Sequence, residues 1–173
     1  MRALLVFESM FGNTERIARA IGDGLAGQVE VDVVEVGAAA PTLPAVVELL
    51  VVGGPTQGFS MSRKGTRESA LKESTEPLVS RGIGIREWLE GLSKGRPMAA
   101  ATFDTRFRKP RGITGSAARA AAKRLRKLGF DLVREPESFF VDKTTGPLLA
   151  GELDRAREWG ARLARSTASA YAA

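Results

Sequence analysis

The sequence contains no cysteine and no histidine. The first absence excludes disulfides, thiolate metal sites and thiol redox chemistry. The second removes Ser-His-Asp catalysis, imidazole acid–base work and the commonest metal ligand. Aspartates and glutamates are scattered, and no pair has the spacing of a metal or glycosidase site. An enzyme made from what remains takes its reactivity most simply from a bound cofactor. Long apolar runs are also missing. Arg2 is followed by only five apolar residues before Glu8, too few for a secretory leader, and no stretch reaches membrane-spanning length. The expected location is therefore cytoplasmic.

What is present is ordinary in amount. A chain of 173 residues, 43% hydrophobic and 27% charged, fits one domain over 1–173 with a single well-buried core, and the tail at 166–173 is expected to fray. The net charge of +6 calls for an account, an anionic partner being one.

The most informative stretch is the opening one. The apolar run Ala3-Leu4-Leu5-Val6-Phe7 enters a polar loop, Glu8-Ser9-Met10-Phe11-Gly12-Asn13-Thr14. The loop opens into an amphipathic helix carrying Ile17, Ala18, Ile21 and Leu25 on one side. The first helical turn has N–H groups without intrahelical partners, and its dipole favours negative charge. Ser9 and Thr14 add hydroxyl donors, Gly12 admits close approach of the backbone, and Asn13 can cap or take a left-handed turn. This is a phosphate seat, although its spacing is neither the dinucleotide glycine fingerprint nor the Gly-Lys-Ser/Thr phosphate loop.

Farther along, strand and helix patterns alternate. Val29–Val36 reads as a strand near a sheet edge, and Val46–Val52 as one covered on both faces. Gly53–Phe59 reads as a loop, and Ser60–Arg81 as a long loop with a helical turn around Ser69–Glu73. A short helix is expected over Ile83–Leu92, a strand over Pro97–Phe103 and a loop over Asp104–Gly115. An Ala- and Arg-rich helix follows over Ser116–Gly129, then a strand interrupted near Pro136 (Phe130–Val133 and Ser138–Val141), and a last helix over Glu152–Arg165. The expected class is α/β: a doubly wound, five-stranded parallel sheet of order 2-1-3-4-5 with helices on both faces.

In such a sheet, ligands bind beyond the carboxyl ends of the strands. The loops placed there are Ser9–Thr14, Pro55–Met61 and Thr102–Arg111. In the second, groups of Pro55, Thr56, Gln57 and Gly58 would meet a flat heterocycle, with Phe59 or Met61 against one side. In the third, backbone N–H groups of Thr102, Phe103, Asp104, Thr105 and Arg106 and the Thr105 hydroxyl would meet its polar edge. Taken singly, each loop also reads as a capped helix, a turn with a surface aromatic or an ordinary strand-to-helix connection. The three together say more than any one.

Nearly end to end, from Leu4-Leu5-Val6-Phe7 to Glu158-Trp159-Gly160, the chain resembles the flavodoxin family. The resemblance rests on Ser9-Met10-Phe11-Gly12-Asn13-Thr14, on Gly53-Gly54-Pro55-Thr56, and on Phe140-Val141 followed by Gly146-Pro147-Leu148. It implies non-covalent flavin mononucleotide (FMN), with Ser9, Gly12, Asn13 and Thr14 around the phosphate, and Pro55–Phe59 and Thr102–Arg106 around the ring. Three features depart from the family pattern. Phe11 stands where many members have a second Thr, neither ring loop has a Trp or Tyr, and the chain is basic whereas most flavodoxins are acidic.

From Thr105 to Phe130 the chain has nine basic residues (Arg106, Arg108, Lys109, Arg111, Arg119, Lys123, Arg124, Arg126 and Lys127) and no acidic one. This reads as a solvated helix face and loop, or as a landing area for an acidic redox partner or a reduced nicotinamide nucleotide. Nucleic acid is disfavoured because the segment has few interleaved aromatics and no recognised motif accompanies it. Two functions are therefore carried forward. One is an FMN-binding redox protein, either a carrier or a small oxidoreductase acting on a quinone-like or porphyrin-like acceptor. The other is a flavin-free interaction domain that binds an anionic partner through its basic surface.

Overall fold

The opening apolar run lies mid-sheet, where both faces of a strand are covered. The computed structural model describes residues 1–93 and 96–172. Strand β1 (Arg2–Phe7) pairs in parallel with β2 (Glu30–Glu35) on one side and β3 (Leu49–Gln57) on the other. A two-residue strand β4 (Ser60–Met61) folds back antiparallel on β3. β5 (Ala99–Phe107) pairs in parallel with β3, and both β6 (Asp131–Leu132) and β7 (Glu137–Val141) pair in parallel with β5. With β4 set aside as a hairpin arm and β6 and β7 taken as one strand broken near Pro136, the order is the expected 2-1-3-4-5.

Helices cover both faces. On one face α1 (Asn13–Ala26) and α6 (Glu152–Ala172) pack on Leu5, Val51, Ala101 and an edge-to-face trio of Phe103, Phe139 and Trp159. On the other, α3 (Ile85–Gly91) and α5 (Ala117–Lys127) pack on Val6, Leu50, Val52 and Ala100. The short helices α2 (Lys64–Glu73) and α4 (Arg111–Thr114) lie between these layers in sequence.

Four local expectations change. β3 and β5 run past Val52 and Phe103, so most of the residues read as the second and third ligand loops are strand. The reason is packing across the sheet: a Cβ on Gly53 would overlap the Phe103 ring, so the glycine makes room for the aromatic of the neighbouring strand. Lys64–Glu73 is a full helix rather than a loop. It is held by Arg67, which pairs with Glu87 at 2.9 Å, and by Ala70, packed with Met10 and Leu78. Helix α4 occupies part of the expected loop 104–115. Finally, α6 continues past Arg165 to Ala172, because Thr167 is buried and donates to the Leu163 carbonyl, and the Tyr171 hydroxyl donates to the Glu48 carbonyl. Residue 173, the end of the expected frayed tail, lies outside the described residues.

Candidate functional site

The loop after β1 is pinned by backbone bonds on its outer side. Glu8 N–H donates to the Gly53 carbonyl at 2.9 Å. Ser80 N–H donates to the Ser9 carbonyl at 2.8 Å and Val79 N–H to the Met10 carbonyl at 3.0 Å. Ser9 N–H donates to Ser80 Oγ, and Ser9 Oγ accepts from Gly12 N–H at 3.2 Å. Gly12 then turns the chain into α1 with φ of 91°, a left-handed conformation that glycine adopts without a Cβ clash. Among the described residues, no side chain caps this end of α1. Its first N–H groups are left for something else.

The facing wall is a hairpin and an arch. β3 and β4 are joined by Gly58 and Phe59, both at positive φ (53° and 69°), the backbone of a tight two-residue hairpin turn. Phe59 is the only non-glycine residue at positive φ among the described residues, and its side chain is 69% exposed. Holding a bulky residue there costs roughly 1–3 kcal/mol. The turn is locked from the far side: Ser116 N–H donates to the Phe59 carbonyl, and Gly115, at φ of 70°, passes so close that a Cβ would overlap that carbonyl. The arch over 107–114 is tied down by Arg106. Its Nη1 donates to the carbonyls of Phe107 and Lys109 and to Thr114 Oγ1, and its Nε donates to Ser138 Oγ at 3.0 Å.

Between loop, hairpin and arch lies a cleft of about 350 Å³ at the carboxyl ends of β1, β3 and β5. Of the residues expected from sequence, Ser9, Met10, Phe11, Asn13 and Thr14 line it from one side, and Pro55, Thr56, Gln57, Gly58 and Phe59 from the other. Thr105 and Arg106 form part of its floor, where Thr14 and Thr105 share a hydroxyl–hydroxyl bond of 2.7 Å. Four expected residues do not line it. Gly12 acts only through its backbone at the helix start. Thr102 donates its hydroxyl to the Ala118 carbonyl, and Phe103 belongs to the aromatic trio. Asp104 is fully buried, its Oδ2 accepting from Thr56 Oγ1, Ser116 Oγ and Ala118 N–H. These three are set by β5 running on to Phe107, which moves its mouth several residues along. Sequence reasoning accordingly missed Phe107, Lys109, Ile113 and Thr114 from the arch, and Val141 and Thr144 beyond β7. The signal available was the period-two placing of Phe103, β-branched Thr105 and Phe107 against Asp104 and Arg106, which reads as continuing strand.

One cleft group is conspicuous by what it lacks. The Gln57 side-chain oxygen is buried and has no hydrogen-bond partner. An unmet acceptor at a cleft wall is a place where a ligand N–H would be favoured.

The surrounding charges are unequal. Arg106 is only 7% exposed, and its affinity for a proton is lowered, first by burial, against an opposing pull from Asp104, and then by Arg111 and Arg119 nearby. On the other side of the loop Glu8 is buried, accepting from the Ser62 hydroxyl and from Ile85 N–H at 2.8 Å. Burial raises its pKa, more than the Ser62 and Ile85 bonds and Arg67 lower it. Glu87 moves the opposite way. Burial is outweighed there by hydrogen bonds from Arg67 and backbone N–H groups, and its pKa falls.

The sequence model of the flavodoxin family matches residues 5–159. The chain belongs to the flavodoxin family. Among solved structures, this flavodoxin-family chain is similar to a flavodoxin from the domain Archaea, with 20% identity over 97% of this chain and 99% of that one, at a TM-score of 0.66. It is similar to oxidised flavodoxin 2 from Bacillus cereus at 22% identity, 98% and 99% coverage and a TM-score of 0.64. It also matches rubredoxin oxygen:oxidoreductase from Desulfovibrio gigas at 15% identity and a TM-score of 0.65, covering 99% of this chain but 37% of that one. These likenesses establish the fold, and family membership supports a flavin-binding redox protein in general terms. No curated protein matches the chain. Among the described residues, no helix is long and apolar enough to cross a membrane, and no cluster of acidic side chains could hold a metal ion.

Proposed function

We propose that the cleft holds FMN non-covalently and that the protein works in electron transfer, as a carrier or as a small oxidoreductase with a quinone-like or porphyrin-like acceptor. The observation that carries this reading is the uncapped start of α1, which opens beside the Ser9 and Thr14 hydroxyls into a cleft with apolar walls. The N–H groups of that turn, with Ser9, Asn13 and Thr14, would hold a phosphate. Pro55, Phe59 and Ile113 offer apolar surface to a flat ring, and the unpartnered Gln57 oxygen suits a ring N–H. The residues present therefore fit a flat-ringed nucleotide.

When bound, FMN supplies the electron storage, which no side chain of this chain provides. The chain's own part is to seat, cover and electrically bias. The hairpin turn at Gly58–Phe59 and the arch shape the two sides of the ring space. Arg106 acts mainly by holding the arch, since its guanidinium is committed to Ser138, Phe107, Lys109 and Thr114. A positive field from it favours the negatively charged, reduced state of whatever electron carrier the cleft contains.

Titrating purified protein with FMN tests the reading. Saturable quenching of flavin fluorescence is expected, with affinity falling at least tenfold in Ser9→Ala/Thr14→Ala, roughly the loss of one or two charge-assisted hydrogen bonds. Protein that leaves the flavin signal unchanged overturns it, in favour of a flavin-free interaction domain.

A further inference from the structure

The nine basic residues between Thr105 and Phe130 leave seventeen basic against twenty acidic in the remainder of the chain, which is therefore net −3. The positive charge of the molecule is thus not diffuse. It belongs to one segment, β5's end, the arch, α4 and α5. Elsewhere six of the thirteen arginines are paired: Arg2, Arg19, Arg67, Arg155, Arg157 and Arg162 each sit within 4.0 Å of a carboxylate. In the basic segment only the buried Arg106 approaches an acid, at 4.0 Å from Asp104. Among the described residues, none of the other eight is in an ion pair.

The geometry of this unpaired charge is specific. Lys109 is on the cleft rim, Arg108 and Arg111 lie beside it in the arch and α4, and the other five continue along α5, whose eleven residues extend about 16 Å away from the mouth. Lys123, Arg126 and Lys127 are exposed along it. Where the stripe reaches the cleft, three apolar side chains stand in solvent: Phe59 (69% exposed), Ile113 (61%) and Phe107 (38%). An apolar centre beside a charged margin is the composition of a transient protein interface.

We propose that this surface is the docking face for an acidic electron-carrier protein. Its carboxylates lie along α4 and α5 and its apolar contact meets Phe59, Ile113 and Phe107 at the cleft mouth. The proposal rests on the FMN reading only for what the docking serves. Charge complementarity selects the occupant, because eight unpaired cations repel one another until an anionic surface faces them. The alternatives fit less well. Single-stranded nucleic acid binding uses aromatic stacking platforms, and no aromatic lies between Ile113 and Phe130. A membrane-surface helix needs an apolar face to insert, and that face of α5 (Ala117, Ala118, Ala121, Ala122, Leu125) is already buried against the sheet.

The test uses a purified acidic plant-type ferredoxin as probe and calorimetric titration of the full chain, with and without added FMN. Binding is expected at about 20 mM salt and should weaken at least tenfold by about 200 mM. Lys123→Glu/Arg126→Glu, far from the cleft, should abolish it, and the milder Lys123→Gln/Arg126→Gln should weaken it about fivefold while leaving FMN binding unchanged. A basic cytochrome c should not bind. Ferredoxin binding that ignores salt and both variants overturns the proposal, as does absent binding. So does tighter, stripe-dependent binding of oligo(dT) or of phosphatidylserine vesicles. Ferredoxin binding by protein that takes up no FMN would uphold the docking face while removing the flavin reading, so the two fail separately.

Discussion

The two faces of the sheet handle charge in opposite ways. On the α1–α6 face, four of the six helix arginines are matched locally. Arg19 pairs with Glu15 at 2.7 Å, Arg155 with Glu152 at 2.6 Å and Glu137 at 2.8 Å, and Arg157 with Asp154 at 2.7 Å. The helices also meet backbone to backbone: a Cβ on Gly24 would overlap the Arg157 carbonyl, and one on Gly160 the Ile21 carbonyl. On the α5 face, a row of alanines packs inward and, among the described residues, the outward cations are in no ion pair. Paired charge holds the fold together. Unpaired charge at this density adds self-repulsion, which an anionic surface outside the molecule would relieve.

That difference can be broken by measurement. The largest effect is expected where the backbones touch. Gly160→Val should lower stability by about 3 kcal/mol or more, because branched carbons must displace helix backbone rather than a flexible side chain. Urea unfolding would show it, and a loss under about 1 kcal/mol would mean that α1 and α6 can separate freely. Arg155→Met should follow at about 1–3 kcal/mol. It leaves Glu152, 7% exposed and accepting from Phe140 N–H, without its cation, and removes the guanidinium 4.5 Å from the Phe139 ring centre.

A third, smaller effect appears as a slope with pH. Glu8 has a raised pKa in the folded chain, so the native state holds its proton more tightly than the unfolded state does. Stability from this group is full below the unfolded pKa and is lost as pH rises through the folded one. Glu8→Gln should flatten that decline in urea midpoints on the alkaline side of the usual carboxylate range. Glu87, with its lowered pKa, contributes with the opposite sign: stability present above its unfolded pKa and lost on acidification. Smallest of all, Lys123→Gln/Arg126→Gln should change stability by no more than about 0.5 kcal/mol. If it cost as much as Arg155→Met, the α5 cations would be structural and the contrast between faces would collapse.

The sequence announced the fold wherever apolar residues were dense. Ala3–Phe7 and Val46–Val52 read as covered strands, the second holding only from Leu49, since Val46 is exposed ahead of β3, and Ile17, Ala18, Ile21 and Leu25 do face the core. It hid elements whose stability comes from elsewhere. Helix α2 buries only Ala70, so no periodic signal marks it; Arg67 and its pairing with Glu87 are tertiary facts. The same holds for the site. The loop at 9–14 was legible because its chemistry is local, a hydroxyl, a glycine and a helix start. The mouth of β5 was misplaced because where a strand ends depends on its neighbours: β3 and β7 go on pairing with it through Thr105 and Phe107. Thr102, Phe103 and Asp104 therefore fell inside, and Lys109, Ile113 and Thr114 took the rim.

The broken last strand has a bearing on how the molecule behaves in company. A sheet edge with a long run of free backbone groups invites a strand from another copy and so aggregation. Here one edge is split at Pro136 into pieces of two and five residues, and the longer piece is covered at its end by Pro147–Leu149, whose Leu149 N–H donates to the Phe140 carbonyl. The opposite edge, β2, presents Glu30, Asp32 and Glu35, which would face their own copies across any strand-to-strand contact. Both margins are therefore poor templates for cross-strand growth, which leaves helices and loops as the readier surfaces for contact with other proteins.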